Sequence, residues 1–550
     1  MHIQRVRTLT TLLLNCCRAI PLLFLLTAQP LSANSFLPQT VPSNSGYYRV
    51  TLKPLEKPIP LGQLHPWQLI IKERESGKII QPDSITLDGG MPAHGHGLPS
   101  APVVGEFNSL QGQAVEGMFF NMAGLWQFYI EFRAGERNDS ATIRVAVGHR
   151  VNVTGSTWSA AEKAVLKSLQ LPLATKNVDM TSAVSDNTLA AVMGARLFFD
   201  PKLSRSGALS CSTCHQPDRY FTDGLARAQG LETLTRNTPT LVGTREQSWF
   251  YWDGRRDSLW SQALVPIEAA AEMNNSRTRV VSYIAEHYQR EYTSLFGELP
   301  KLDFDRLPDA TPLGNPEQQS AWTKINTQTR VTVNRMFSNI GKTIAAYEAL
   351  LMPAAGRFDH FVAMVLNDDL EAANTVLSPS EQAGLKLFIS NRSQCLNCHN
   401  SPLMTNHGFH AIGSAESESG DIDAGRLYGQ QAVELSEFNC RSPYNDNPNA
   451  GCDTLDFASG HAHATEMFGA FKVPTLRGLS RSFPYMHDGR FNTLAEVVDF
   501  YADLPATETG QRTELPSIAD FTAEEKQQLT DFLQTLGDDI DVGRDWLQPR

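Results

Sequence analysis

CSTCHQPDRYFTDG, residues 211 to 224, sets two cysteines and a histidine within five positions, and CLNCH at 395 to 399 repeats the arrangement. Cys-x-x-Cys-His is the attachment pattern of a c-type haem. Two thiols separated by two residues can add to the two vinyl groups of one porphyrin. The adjacent histidine then faces the iron as an axial ligand. Paired Cys-x-x-Cys also serves zinc, but here each pair carries its own histidine and the pairs lie far apart. The reading is two covalent haems, one on Cys211, Cys214 and His215 and one on Cys395, Cys398 and His399.

Outward from the clusters a repeat is visible. GARLFFDPKLSRSGALSCSTCHQP (194 to 217) and GLKLFISNRSQCLNCHNSP (384 to 402) share a glycine, a basic residue, Leu-Phe, a loop and the cluster. SPSE at 378 to 381 is a capping box with proline at the first helical position. Ser159 to Glu162, Thr493 to Glu496 and Thr522 to Glu525 are further helix starts of the same kind. The chain from 158 to 540 therefore reads as mainly α-helical, with two related cytochrome c domains at 158–370 and 371–540.

A chain of 550 residues is long enough for several cores. Its net charge of −12 argues against nucleic acid and anionic membrane as partners, and favours a basic protein or a small neutral substrate. Residues 1–33 have a basic stretch, the apolar AIPLLFLLTA and then PLSA, the pattern of a cleaved signal peptide. Export points to the periplasm, with no integral membrane segment left after cleavage. Of eight cysteines, Cys16 and Cys17 would leave with the signal and four belong to the clusters. Cys440 and Cys452 remain, and in an oxidising compartment they can pair across an Asn- and Pro-rich loop.

Residues 45–150 are different material. LWQFYIEF places Phe128, Ile130 and Phe132 on one face and Gln127, Tyr129 and Glu131 on the other. ATIRVAV alternates as well, so this segment reads as an antiparallel, Ig-like β-sandwich. MPAHGHGLP and GMFFNMAGLWQF resemble YtkA-like domains. Met91, His94 and His96, with Met118 and Met122, are ligand types that suit copper; a turn with solvent-facing histidines over core methionines is the plainer reading.

From about 185 to 540 the chain resembles the bacterial di-haem cytochrome c peroxidases and their MauG-type relatives. The motifs that carry this are LFFDPKLS, CSTCH, RNTPTL, FYWDGR, PIEAAAEM, CLNCH and FKVPTLRGLSRSFPYMHDGRFNTLAEVVDFY, in that order. The resemblance implies that the first haem reacts with hydrogen peroxide and the second passes or shares electrons. It puts the distal acid on Glu272, the distal proline on Pro266 and the tryptophan between the haems on Trp252. Without the resemblance, Glu272 and Glu268 read as solvated helix residues. It also implies calcium on the Asn237 side chain and on carbonyls near Ser482 and Pro484, with Ser482 where the family has Thr.

Regulated peroxidases of this kind carry a loop histidine between the first cluster and RN-x-PT. The interval QPDRYFTDGLARAQGLETLT contains neither His nor Met, a departure shared with MauG-type enzymes. Leu494, Val497, Val498 and Tyr501 lie at i, i+3, i+4 and i+7, one helix face. Tyr501 takes the place where peroxidases carry an axial Met and MauG-type enzymes an axial Tyr; the plainer role is a core tyrosine bonded to a carbonyl. Met486, Met404, His407, His410 and His487 are other candidate ligands. The expected function is a peroxide-consuming di-haem enzyme that draws electrons from a donor protein or from residues of a protein substrate. The competing class is a di-haem electron carrier without peroxide chemistry.

Overall fold

The computed structural model describes residues 39–550 apart from 56–58, 60, 62, 92–95, 148–156, 172–177, 417–419, 451, 453–454, 457–463, 504–519, 538 and 549–550. The expected signal peptide at 1–33 and His94 lie outside the described residues, as does the side chain of His96. No helix among the described residues is long and apolar enough to cross a membrane.

The front segment builds two antiparallel sheets from β1 (Gln39–Pro42), β2 (Tyr48–Pro54), β3 (Leu64–Glu73), β4 (Ser84–Met91), β5 (His96–Gly97), β6 (Val103–Asn108), β7 (Gly112–Phe119), β8 (Gly124–Ala134) and β9 (Arg137–Val147). One sheet runs β1-β2-β3-β7-β6 and the other β5-β4-β8-β9. Period-two alternation explains the layering. Trp126, Phe128, Ile130 and Phe132 of β8 turn inward with Ile143 and Val145 of β9, against Trp67, Leu69 and Ile71 of β3.

The rest is mainly helical, and the four capping boxes read from sequence are all formed. The repeat has a structural counterpart. Helix Thr188–Phe198 crosses helix Thr327–Glu348 at Gly194, and helix Pro379–Phe388 crosses helix Ala523–Leu533 at Gly384. A Cβ on Gly194 would lie 1.8 Å from the Thr343 carbonyl oxygen, and one on Gly384 1.9 Å from that of Gln528. The shared glycine is thus what lets each pair of helices approach backbone to backbone.

Each crossing anchors its own core. The first gathers Phe198, Phe221, Trp260, Phe337 and Tyr347. The second joins Leu385, Phe388 and Phe532 to Phe358 and Phe361, and also to Val165, Leu166 and Leu169 of helix Ala160–Leu169. Segments on both sides of residue 370 therefore share the second core. Arg477 stitches it together: its guanidinium meets both oxygens of Asp359 at 2.7 and 3.0 Å and donates to the carbonyls of Leu169, Leu536 and Pro402. Cys440 and Cys452 form a disulfide.

Candidate active site

Around the first cluster, Cys211–Cys214 makes one helical turn and His215 follows as its cap. The His215 Nδ1 lies 3.0 Å from the Phe221 carbonyl oxygen. A carbonyl only accepts, so Nδ1 carries the proton and Nε2 is the nitrogen left for a metal. Tyr220 and Phe221 hold left-handed backbone (φ 55° and 59°) to bring that carbonyl round. Burial keeps both thiols un-ionised, pushing Cys214 up to about 12 and Cys211 up as well.

Helix Leu259–Glu268 supplies the opposing wall. Pro266 has no N–H for the Gln262 carbonyl one turn back, and the Tyr251 hydroxyl donates to that carbonyl instead, at 3.0 Å. Gln262, Pro266 and Glu272 line a small cavity of about 50 Å³ together with Cys211, Cys214, His215 and Glu348. Burial raises the Glu272 carboxyl above the ordinary range, while Arg255 pulls it back. Glu268, by contrast, is buried in an ion pair with Arg277 at 2.9 Å. Neither carboxylate is a solvated helix residue, because one faces a cavity and the other a buried guanidinium.

The second cluster repeats the geometry. His399 Nδ1 donates to the Met404 carbonyl at 3.0 Å, again leaving Nε2 for a metal. Burial holds its imidazole neutral, with the pKa down at about 4. The thiols of Cys395 and Cys398 are pushed up to about 11 and about 12 by burial. Helix Leu494–Asp503 presents Leu494, Val497, Val498 and Tyr501 to the same space. Tyr501 shares the cavity wall with Cys395, Cys398 and His399, and burial raises its phenol above the ordinary value. No hydrogen bond among the described residues satisfies its hydroxyl.

One cavity of about 900 Å³ takes in His215, Trp252, Glu272, Cys395, Cys398, His399 and Tyr501. Small-molecule pockets span roughly 300–1,000 Å³, so this is a large space at two clusters. Its donor set fits two covalent haems: four unpaired thiols, two imidazoles oriented through Nδ1, and orphaned buried oxygens on Gln262 and Glu348.

Known proteins agree. A family model described as di-haem cytochrome c peroxidase matches residues 189–364. The MauG methylamine utilization protein of Methylophilus methylotrophus is 30% identical over 334 residues, 59% of this chain and 77% of that one. The cytochrome c551 peroxidase of Nitrosomonas europaea is 26% identical over 404 residues, 72% of this chain and 95% of that one. The chain belongs to the di-haem cytochrome c peroxidase family. Among solved structures, a MauG-like protein associated with microbial copper homeostasis aligns with 69% of this chain and 98% of its own, at 22% identity and a TM-score of 0.47.

A di-haem peroxidase is a haem-dependent oxidoreductase acting on peroxide, with two c-type haems. Other expected site residues of this family member lie as follows. Trp252 Nε1 donates to the Asn237 carbonyl at 3.0 Å, and its own carbonyl accepts from Lys472 N at 2.7 Å. Asn237, Ser482 and Pro484 share the large cavity wall. The Asn237 amide nitrogen bonds the Leu225 carbonyl, so its oxygen is the end left for a cation. Met91, Met118 and Met122 are fully buried in the sandwich core. Met486, His410 and His487 reach the cavity, whereas Met404 contributes its carbonyl to His399. Sequence reasoning missed Gln262 and Glu348. The one available signal for Gln262 was its place one turn before the in-helix Pro266.

Proposed function

We propose that the chain is a periplasmic MauG-type enzyme in which Cys211, Cys214 and His215 would hold a haem that supplies peroxide chemistry beside Glu272. Cys395, Cys398 and His399 would hold the second haem, with Tyr501 as a further ligand to its iron. The observation that carries this is the Tyr501 phenol, unsatisfied among the described residues, on the wall of a cavity common to both clusters. The phenol faces the cavity beside Cys395 and Cys398 rather than a protein acceptor, and an iron ion held there would be its partner.

The haems supply the redox chemistry, by which peroxide, two electrons and two protons yield two waters. The protein's part is proton handling and positioning. Glu272, desolvated yet near Arg255, can take the proton of the bound peroxide and return it to the leaving oxygen, general acid–base work. Gln262 offers a buried, unpartnered Oε1 to the same space, and Pro266 keeps that wall apolar. Trp252, held through its indole N–H and its backbone carbonyl, lines the cavity common to both clusters and would carry electrons between them. A phenolate is an anionic ligand that favours the oxidised iron over the reduced, which suits an enzyme that withdraws electrons from a protein substrate. Asn237 with the carbonyls near Ser482 and Pro484 would hold a calcium ion. Export is supported by the basic and apolar start of the chain and by the Cys440–Cys452 disulfide.

Electron paramagnetic resonance of the ferric holoprotein tests this. One high-spin and one low-spin haem are expected, and Tyr501→Phe should abolish or shift the low-spin signal alone. Two low-spin haems in the wild type would establish an electron carrier, and an unaltered low-spin signal in Tyr501→Phe would put another ligand on the second iron.

A further inference from the structure

The loop that orients His399 is strained. Ser401, Met404 and His407 all hold positive φ (67°, 55° and 53°) without being glycine. Such conformations cost on the order of 1–3 kcal/mol each and persist only where the surroundings over-determine them. Met404 is the residue whose carbonyl receives His399 Nδ1. Whatever holds this loop therefore also holds the imidazole.

Thr405, Leu403 and Pro402 are bonded to Val473, Thr475 and Arg477 in the helical part, and one further restraint comes from the front sandwich. Asn406, 1% exposed, donates from Nδ2 to the carbonyl of Asn121, in the turn between β7 and β8. The same nitrogen is 3.2 Å from the Asn397 carbonyl and 3.1 Å from His410 Nε2. Its backbone N–H donates to the Cys398 carbonyl at 2.8 Å, and its Oδ1 accepts from Gly408 N at 2.8 Å. One buried residue thus joins the sandwich to two carbonyls inside CLNCH, Asn397 through its side-chain amide and Cys398 through its backbone N–H. The junction is tight: a Cβ on Gly408 would lie 3.3 Å from the Asn121 Cβ and 3.1 Å from both Asn406 Oδ1 and His410 Nε2. Elsewhere the sandwich meets the helical part through Gly97 N–H, which donates to Glu466 Oε1 at 3.2 Å. The corresponding loop of the first cluster is tied instead to Thr240 and Gln216, within the helical part.

We infer that the front sandwich is a clamp on the second haem's proximal loop, and that Asn406 is a positioning residue setting that haem's reduction potential through His399. An Nδ1–H···O=C bond makes the opposite ring nitrogen a stronger donor. A stronger donor stabilises ferric iron and lowers the potential. Loosening the loop lengthens the His399–Met404 bond and raises the potential. The first haem, whose loop has no bond to the sandwich among the described residues, is the internal control.

The inference rests on the reading that Cys395, Cys398 and His399 hold a haem. The test is potentiometric titration of the full-length holoprotein, wild type and Asn406→Ala, with each haem followed by its visible and paramagnetic signals. The second haem's midpoint is expected to rise in Asn406→Ala while the first stays at its wild-type value. Gly408→Ala, which presses the same junction from the other side, should move the same midpoint and serves where Asn406→Ala does not fold. Two loaded haems with an unmoved second midpoint in the variants would overturn the clamp. A mass spectrum showing the 395–399 peptide of the wild type without haem would instead overturn the site reading beneath it.

Discussion

Glu348 ends the helix Thr327–Glu348 on the wall of the small cavity, beside Cys211, Gln262 and Glu272. Its side chain is 3% exposed and its Oε2 has no hydrogen-bond partner. Burial alone raises its carboxyl to about 8. A folded-state pKa above the unfolded value of 4.5 means that the native state binds the proton more tightly. The stability so gained is full below the unfolded value and lost as pH rises towards 8. The expected slope is about 1.4 kcal/mol per pH unit across that window. Glu348→Gln keeps the shape without the titration, so its stability should match the wild type near pH 5 and exceed it increasingly up to pH ~8. Denaturation of both proteins across that range checks this; parallel curves would mean that Glu348 ionises with a partner.

The two glycine crossings show how a repeated element is built. GARLF and GLKLF look alike in sequence because each helix meets a partner backbone at its glycine, with Thr343 and Gln528 as the opposing carbonyls. Overpacking a well-packed contact typically costs about 1–3 kcal/mol, and here the obstacle is main chain, which cannot rotate away. Gly384→Ala should therefore lower the thermal midpoint and loosen the core around Phe388 and Phe532, weakening the second haem's signal before the first. Haem-resolved melting by visible absorption reads this directly; loss of both haems together would make the two cores one unit. The glycine was legible in the repeat, but its reason was not, since the partner carbonyl lies more than a hundred residues away. The same holds for other elements. Capping boxes and the alternation of β8 are local patterns, legible directly in the sequence. Helix Ala160–Leu169 packing into the second core, and Arg477 reaching Asp359, Leu169 and Leu536, depend on distant partners that no local pattern encodes.

At the scale of the whole molecule, the two clusters open on one large cavity, with Trp252 on its wall. Cys-x-x-Cys-His declared each cluster because covalent attachment is a local requirement of five residues. The union of the two clusters is instead a property of chain return: Lys472, seventy-three positions after His399, pairs its amide with the Trp252 carbonyl, while Trp252 Nε1 bonds the Asn237 carbonyl on the first side. Trp252 is thereby held by one segment from each half of the chain, its main chain by Lys472 and its indole by Asn237. Replacing it with leucine removes the aromatic π system but retains the backbone bond to Lys472, so each haem keeps its own ligands. Trp252→Leu should leave the ferric spectra of both haems unchanged and slow the peroxide-driven oxidation of the second haem, as read by stopped-flow absorption. An unchanged rate would place electron transfer on another route across the cavity, and a changed ferric spectrum would mean that the indole is structural support for a haem rather than a conductor between two.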